Sequence, residues 1–338
     1  MRLPAACLSG MATTVVAATV VAAGWTTWCA AQEPKANPNL TITDPAKAGP
    51  DFAIQGEYIG EDEEGNKHGA QVIALGGGKF DIVHYMGGLP GDGWKRGDRR
   101  HKGKGELNDD GSASFKGEEG WLATIKGGKL TATSAEGKVY GKLTKIERKS
   151  PTLGAEPPKS AIVLFDGSSA DAFEGGKLSP DGFLEANCTS KQKFGDCVVH
   201  LEFRTPFKPY ARGQARGNSG VYAQSRYEIQ VLDSFGLEGK DNECGGIYSA
   251  SEPAVNMCLP PLSWQTYDIQ FTQARYENGK KVKNARITVK HNGVVIHDDL
   301  ELPKGTPGKA GEGPDPLGWY LQGHGNPVVY RNIWVAEK

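Results

Sequence analysis

The chain has 338 residues, enough for two domains, with 38% hydrophobic and 23% charged residues and a formal net charge of -1. That near-neutral balance speaks against nucleic acid or an anionic membrane as the main partner. With 46 glycines and 20 prolines it is too heavily punctuated for a helical protein and suits many short strands joined by turns.

Residues 1–31 read as a secretory signal peptide. Arg2 gives a positive start, "MATTVVAATVVAAG" (11–24) is an apolar run too short for a membrane span, and Cys29 and Ala31 are small residues before a cut after Ala31. The rivals are a lipoprotein anchored at Cys29, which bulky Trp28 opposes, and a retained anchor helix. Cleavage leaves a periplasmic or secreted protein without a transmembrane anchor. Of six cysteines, Cys7 and Cys29 fall in the leader. An oxidising compartment invites two bridges among the other four, with Cys188–Cys197 pinning a hairpin and Cys244–Cys258 closing a loop. Other pairings and four buried free thiols remain open, and zinc is disfavoured because no Cys-x-x-Cys pair occurs.

Residues 32–50 are polar and proline-rich, a disordered linker by composition. From 51 to 149, "QVIAL", "KFDIVHYM", "SASFKG", "WLATIKGGKLTATS" and "VYGKLTKIE" predict a small β-rich domain of unassigned role. Its His68, His84 and His101 are scattered without ligand spacing, and Trp94 and Trp121 suit either an exposed aromatic surface or a core. A linker at 150–160 ("SPTLGAEPPKS") precedes strong, regularly spaced strands over 161–338. Asn292-Gly293 is the best hairpin signal in the chain, and the flanking His291 and His297 are expected in solvent. No helix of convincing length is evident. The fold class is all-β: an antiparallel β-sandwich of jelly-roll type behind a smaller β-rich domain.

Two strands carry the chemistry. In "VVHLEFR" (198–204), His200, Glu202 and Arg204 alternate onto one face. An arginine in a central strand needs a carboxylate or a ligand. In "YEIQVLD" (227–233), Glu228 and Gln230 share a face and Asp233 takes the other, unless a one-residue bulge near Val231 or Leu232 brings it back.

The Glu-Ile-Gln-Val-Leu-Asp pattern resembles the Glu-Ile-Asp-x-x-Glu strand of bulged laminarinase-type glycosidases with the concanavalin A-like jelly roll. More specifically, "LFDG" (164–167), "LEFR" (201–204), "NSGVY" (218–222), "YEIQVLD" (227–233), "GGIY" (245–248), "WQTYDI" (264–269), "HNG" (291–293), "LQGHG" (321–325) and "YRNIWV" (330–335) together resemble the 3-keto-disaccharide hydrolase family. The family is also called 3-keto-glucoside lyase/hydratase, and the likeness spans 161–338.

The resemblance implies an enzyme whose partner is an oligosaccharide or glycoside oxidised at carbon 3. Removal of the carbon 2 proton, elimination at carbon 1 and rehydration of the 2-hydroxy-glucal give net hydrolysis. It implies Glu228 as base or acid, Asp233 as its partner or as a metal or water ligand, and Arg204 and His324 as stabilisers of the enolate. Gln230, Asn218, Tyr248 and Gln322 would bind hydroxyls, and Tyr222 suits either the site or the core. No cofactor is required, although a divalent metal ion could replace Arg204. Trp264 and Trp334 are expected in the core and Trp319 at the cleft rim. Two alternatives stand beside this reading: a non-catalytic carbohydrate-binding jelly roll, and an ordinary β-glucanase, which Gln230 and the short Asp233 disfavour.

Overall fold

A computed structural model describes residues 37–338, so the signal peptide expected at 1–31 lies outside the described residues. Within them the one α-helix is Gly49–Ile54, and no helix is long and apolar enough to cross a membrane.

Between Gly56 and Ile146, eight antiparallel strands form one sheet in chain order, with the short parallel pair Leu89–Pro90 and Gly93–Trp94 set apart from it. The first, Gly56–Glu61, also pairs with the last, Val139–Ile146, which closes the sheet into a barrel without a free edge. Alternate side chains point inward: Val72 and Ala74, Phe80 and Ile82, Phe115, and Ile125 lie in one apolar cluster. Gly105 makes that packing fit, because a Cβ there would stand 2.3 Å from the ring of Phe115. Residues 37–50, before the barrel, are not all the free lead-in that their composition suggests. Ile42 exchanges both backbone hydrogen bonds with Phe207, at 3.0 and 2.8 Å, which ties this segment to the second domain.

That second domain is a sandwich of two antiparallel sheets. In the larger, Ile162–Phe165, Val329–Glu337, Cys197–Arg204, Gln265–Thr272, Ala285–His291 and Val294–Leu302 lie side by side, with Leu184–Glu185 against Val329–Glu337. In the smaller the order is Phe173–Glu174, Cys188–Ser190, Tyr320–Leu321, Ser219–Ala223 and Tyr227–Val231. Leu201 and Phe203 from one sheet and Val221, Ile229 and Val231 from the other belong to one buried cluster. Asn292 and Gly293 take φ of 50° and 82°, the left-handed pair that a two-residue hairpin turn needs.

The polar row His200, Glu202, Arg204 does face away from this core, yet it is not open. Residues 150–155, read as a linker, lie across it as a strap. Thr152 Oγ1 donates to Asp268 at 2.7 Å, the Gly154 N–H donates to Glu202 at 2.5 Å, and Trp334 Nε1 donates to the Ala155 carbonyl at 3.3 Å. His200 meets Asp268 at 2.6 Å, Glu202 accepts from Arg331 at 2.6 Å, and His200 and Glu202 are fully buried.

Further expectations are corrected by the packing. Cys188, Cys197, Cys244 and Cys258 are buried free thiols. Cys188 and Cys197 cannot pin a hairpin, because their strands belong to different sheets. Cys244 and Cys258 are hydrogen-bonded neighbours rather than a bridge. His291 and His297 are buried, not solvated: His291 Nε2 lies 3.0 Å from Gln265 and His297 Nε2 2.7 Å from the Gly245 carbonyl. Trp319, expected at the rim, is buried as well.

One buried ion pair joins barrel to sandwich. Arg216 Nε donates to Asp233 at 2.7 Å, and its terminal nitrogens reach the Ala74 carbonyl in the barrel at 3.3 Å. Asp233→Asn leaves that guanidinium without its counter-charge, so chemical denaturation should show a loss of about 3 kcal/mol. Peptide mapping after alkylation of the unreduced, denatured protein should find all four sandwich cysteines alkylated.

Candidate active site

The strand Tyr227–Val231 pairs with Ser219–Ala223 in unbroken register, from Tyr227 opposite Ala223 to Val231 opposite Ser219. Its odd-numbered residues enter the sandwich core, so Glu228 and Gln230 project from the other face of the smaller sheet. There is no bulge in this pairing. Past Val231 the chain leaves the sheet, and Asp233 keeps its core-side parity. Burial raises its pKa, opposed by Arg216, whose guanidinium occupies its carboxylate. The acid expected beside Glu228 is therefore a structural anchor.

Around Glu228 the donors are uncharged. Tyr222 stands directly opposite on the neighbouring strand and donates its hydroxyl to Oε2 at 2.7 Å. Gln322 Nε2 donates to that same hydroxyl at 3.1 Å. With its NH2 group turned inward, Gln230 donates to Glu228 Oε1 at 3.0 Å and to the Ser219 carbonyl at 2.8 Å. Both carboxylate oxygens are thus held from the protein side. Gly220 provides the room: a Cβ there would lie 2.3 Å from Oε1.

Asn218 Nδ2 donates to Gln214 Oε1 at 2.8 Å. Asn218 Oδ1 and Gln322 Oε1 are buried acceptors with no hydrogen-bond partner. Such oxygens are suited to donors brought by a ligand. The Tyr248 N–H donates to the Glu228 carbonyl at 3.2 Å, which sets Tyr248 at the edge of the group. Residues 306–310 close over it. Thr306 Oγ1 accepts from the Glu228 N–H at 2.9 Å, and the Pro307 carbonyl stands 3.2 Å from the Tyr222 hydroxyl.

Burial pushes the Glu228 carboxyl up to about 7, only partly opposed by the Tyr222 hydrogen bond. No neighbouring charge contributes to that shift. Burial and the adjacent carboxylate push Tyr222 upward, so it stays a protonated donor.

The structure brings Glu228, Gln230, Asn218, Tyr222, Tyr248 and Gln322 together. It does not bring Arg204 or His324 to them. Arg204 extends from the outer face of the larger sheet, its guanidinium 5.1 Å from the rings of both Phe183 and Trp264. His324 lies past the end of Tyr320–Leu321, exposed in a turn. Lys309, in the covering loop, lies 4.4 Å over the ring of Tyr320, which packs 5.4 Å from that of Tyr222. Lys309 sits in a Gly- and Pro-rich loop with no periodic signal, and Gln214 in the short 3-10 helix Gly213–Ala215. Neither stood out in the sequence. Among the described residues, no group of three or more His, Cys, Asp or Glu side chains is arranged to hold a metal ion.

The fold is that of the concanavalin A-like class. Residues 160–336 match the family described as the 3-keto-alpha-glucoside-1,2-lyase-like domain, and the chain belongs to that family. This membership makes it a glycosidase-like enzyme. Two solved structures from Parabacteroides distasonis ATCC 8503, each described as a "putative glycosyl hydrolase", are similar to it. One is 32% identical, with a TM-score of 0.48 over 54% of this chain and 85% of the other. The second is 15% identical, with a TM-score of 0.39 over 53% of this chain and 94% of the other. No curated protein matches.

Glu228 makes stability depend on pH. Its carboxyl titrates near 7 when folded and at an ordinary 4.5 when unfolded. Between those values only the unfolded chain releases the proton, so native stability falls as pH rises and levels off above about 7. Glu228→Gln should remove that slope, and denaturation at pH 8 should show a gain of about 3 kcal/mol at most.

Proposed function

We propose that the enzyme cleaves 3-keto-glycosides by elimination and rehydration, with Glu228 as the base. The observation that carries this reading is a lone carboxylate, poised near 7, with no acidic partner beside it. Direct hydrolysis of a glycoside calls for two carboxyl groups flanking the bond. A ketone at carbon 3 lowers that demand, since it acidifies the hydrogen on carbon 2 and one base suffices. Glu228 takes that proton, the electrons pass to the carbon 3 oxygen as an enolate, and their return expels the carbon 1 substituent. The leaving oxygen takes a proton from water, the resulting hydroxide adds at carbon 1, and Glu228 returns its proton to carbon 2.

Tyr222 and Gln230 orient the base, and the unpartnered oxygens of Asn218 and Gln322 receive sugar hydroxyls. Glu228 is 2% exposed, so substrate entry requires residues 306–310 to move away. That cover is also the one observation favouring a non-catalytic sugar-binding face. The apolar leader at 11–24 supports export as the setting of the reaction.

With a methyl 3-keto-glucoside, ultraviolet absorbance should show the enone of the glucal, formed at a rate that rises with pH through about 7. Glu228→Gln should lower that rate by about 100-fold or more, whereas folded Asp233→Asn should stay within a few-fold of wild type. An unchanged rate in Glu228→Gln would remove the base, and sugar binding without turnover would establish the non-catalytic face.

A further inference from the structure

The family match ends at 160 on its N-terminal side and leaves the barrel unassigned. Apolar side chains fill part of its interior, and the remainder is a cavity of about 550 Å³. Eight-stranded barrels are wide enough to hold one small ligand, and this volume falls in the usual range for such sites. Ile82, Ala123, Leu130 and Leu143 form apolar walls.

One wall differs. His68, His84 and His101 stand on three adjacent strands, with His84 directly opposite His101. The rings of His68 and His84 are 5.1 Å apart and 13° from parallel, and those of His84 and His101 are 5.6 Å apart and 25° from parallel. The sequence, which shows the three far apart, gives no hint of this ladder.

The ladder's protons follow from its end. Hydrogen bonds from Asn66 hold the Asp62 carboxylate ionised, so Asp62 can only accept, and His68 Nε2 donates to it across 3.2 Å. In the neutral ladder His68 Nδ1 is then an acceptor, and His84 Nε2 donates to it at 2.9 Å. His84 Nδ1 is left with a lone pair and no hydrogen-bond partner among the described residues. Burial, and next the neighbouring His68 and His101, push His84 down to about 4, which keeps it neutral. Trp121 also lines the cavity, and its buried indole N–H has no acceptor. Glu61, Glu119 and Glu136 line the cavity too, so its own carboxylates repel an anion.

We propose that the barrel cavity binds a small, uncharged, largely apolar ring compound bearing a hydroxyl, of the phenol class. Its hydroxyl hydrogen goes to His84 Nδ1, and the unpartnered Trp121 indole N–H on the same cavity wall offers a donor to its oxygen. The ring takes the apolar walls.

Isothermal titration calorimetry of the full chain with 2-naphthol tests this. Saturable 1:1 binding is expected with a Kd below about 1 mM. Gly141→Trp adds bulk to a residue lining the cavity, at a position where a Cβ meets nothing within 4 Å, and should weaken binding about tenfold or more. His84→Ala should weaken it at least about threefold, and the anionic 2-naphthoate should bind about tenfold more weakly than the naphthol. Ala123→Phe serves as a second filled cavity if Gly141→Trp lowers the melting temperature. No saturable binding up to about 1 mM, undiminished binding in a folded filled variant, or naphthoate binding as tightly as naphthol would each overturn the proposal.

Discussion

Glu228 occupies a place where water cannot solvate its charge and no cation replaces that water. A surface carboxylate would be too weak a base to take a proton from carbon, and one paired with arginine would be weaker still. Burial alone raises it toward neutrality, while Tyr222 and Gln230 keep the ionised form accessible through uncharged hydrogen bonds. The rest of the sandwich serves this balance. A straight strand presents the side chain, a glycine on the neighbouring strand leaves room for it, and a covering segment keeps solvent out.

The polar residues that do carry buried charge are employed elsewhere, as structural joints. Asp233 is spent on Arg216 and through it on the barrel. Glu202 is neutralised by Arg331 beneath the strap, and Glu57 on the outer wall of the barrel by Arg148. Each pair is buried on at least one side, where losing one partner would strand the other's charge. This division leaves no neighbouring charge acting on Glu228. It explains how one acid can sit there with its pKa shifted by desolvation alone.

Much of the fold was legible because strand periodicity and turn chemistry are local properties. The alternation in 198–204 and 227–231, the Asn292-Gly293 turn and the β-sandwich all follow from residues within a few positions of one another. What the sequence did not disclose depends on partners distant in the chain. Barrel closure is a meeting of Gly56–Glu61 with Val139–Ile146. The 150–155 segment reads as a linker because its polar groups reveal no partners until Glu202 and Asp268 are in place. His291 and His297 look solvated beside a tight turn, yet Gln265 and Gly245 from other segments satisfy them. Glu228, Gln230 and Tyr222 were found because two adjacent strands carry them. Asp233, Arg204 and His324 were misplaced because one step of parity, one sheet or one turn separates a nearby residue from a converging one.

The central claim is that Glu228 is an isolated carboxyl titrating near neutrality in the folded protein. Carbon-13 NMR of the Glu228 carboxyl carbon, assigned by its loss in Glu228→Gln, measures this directly across pH 3 to 9. The account predicts a single step near 7. A step at the ordinary 4.5 of an exposed glutamate would contradict it and leave the site without its base.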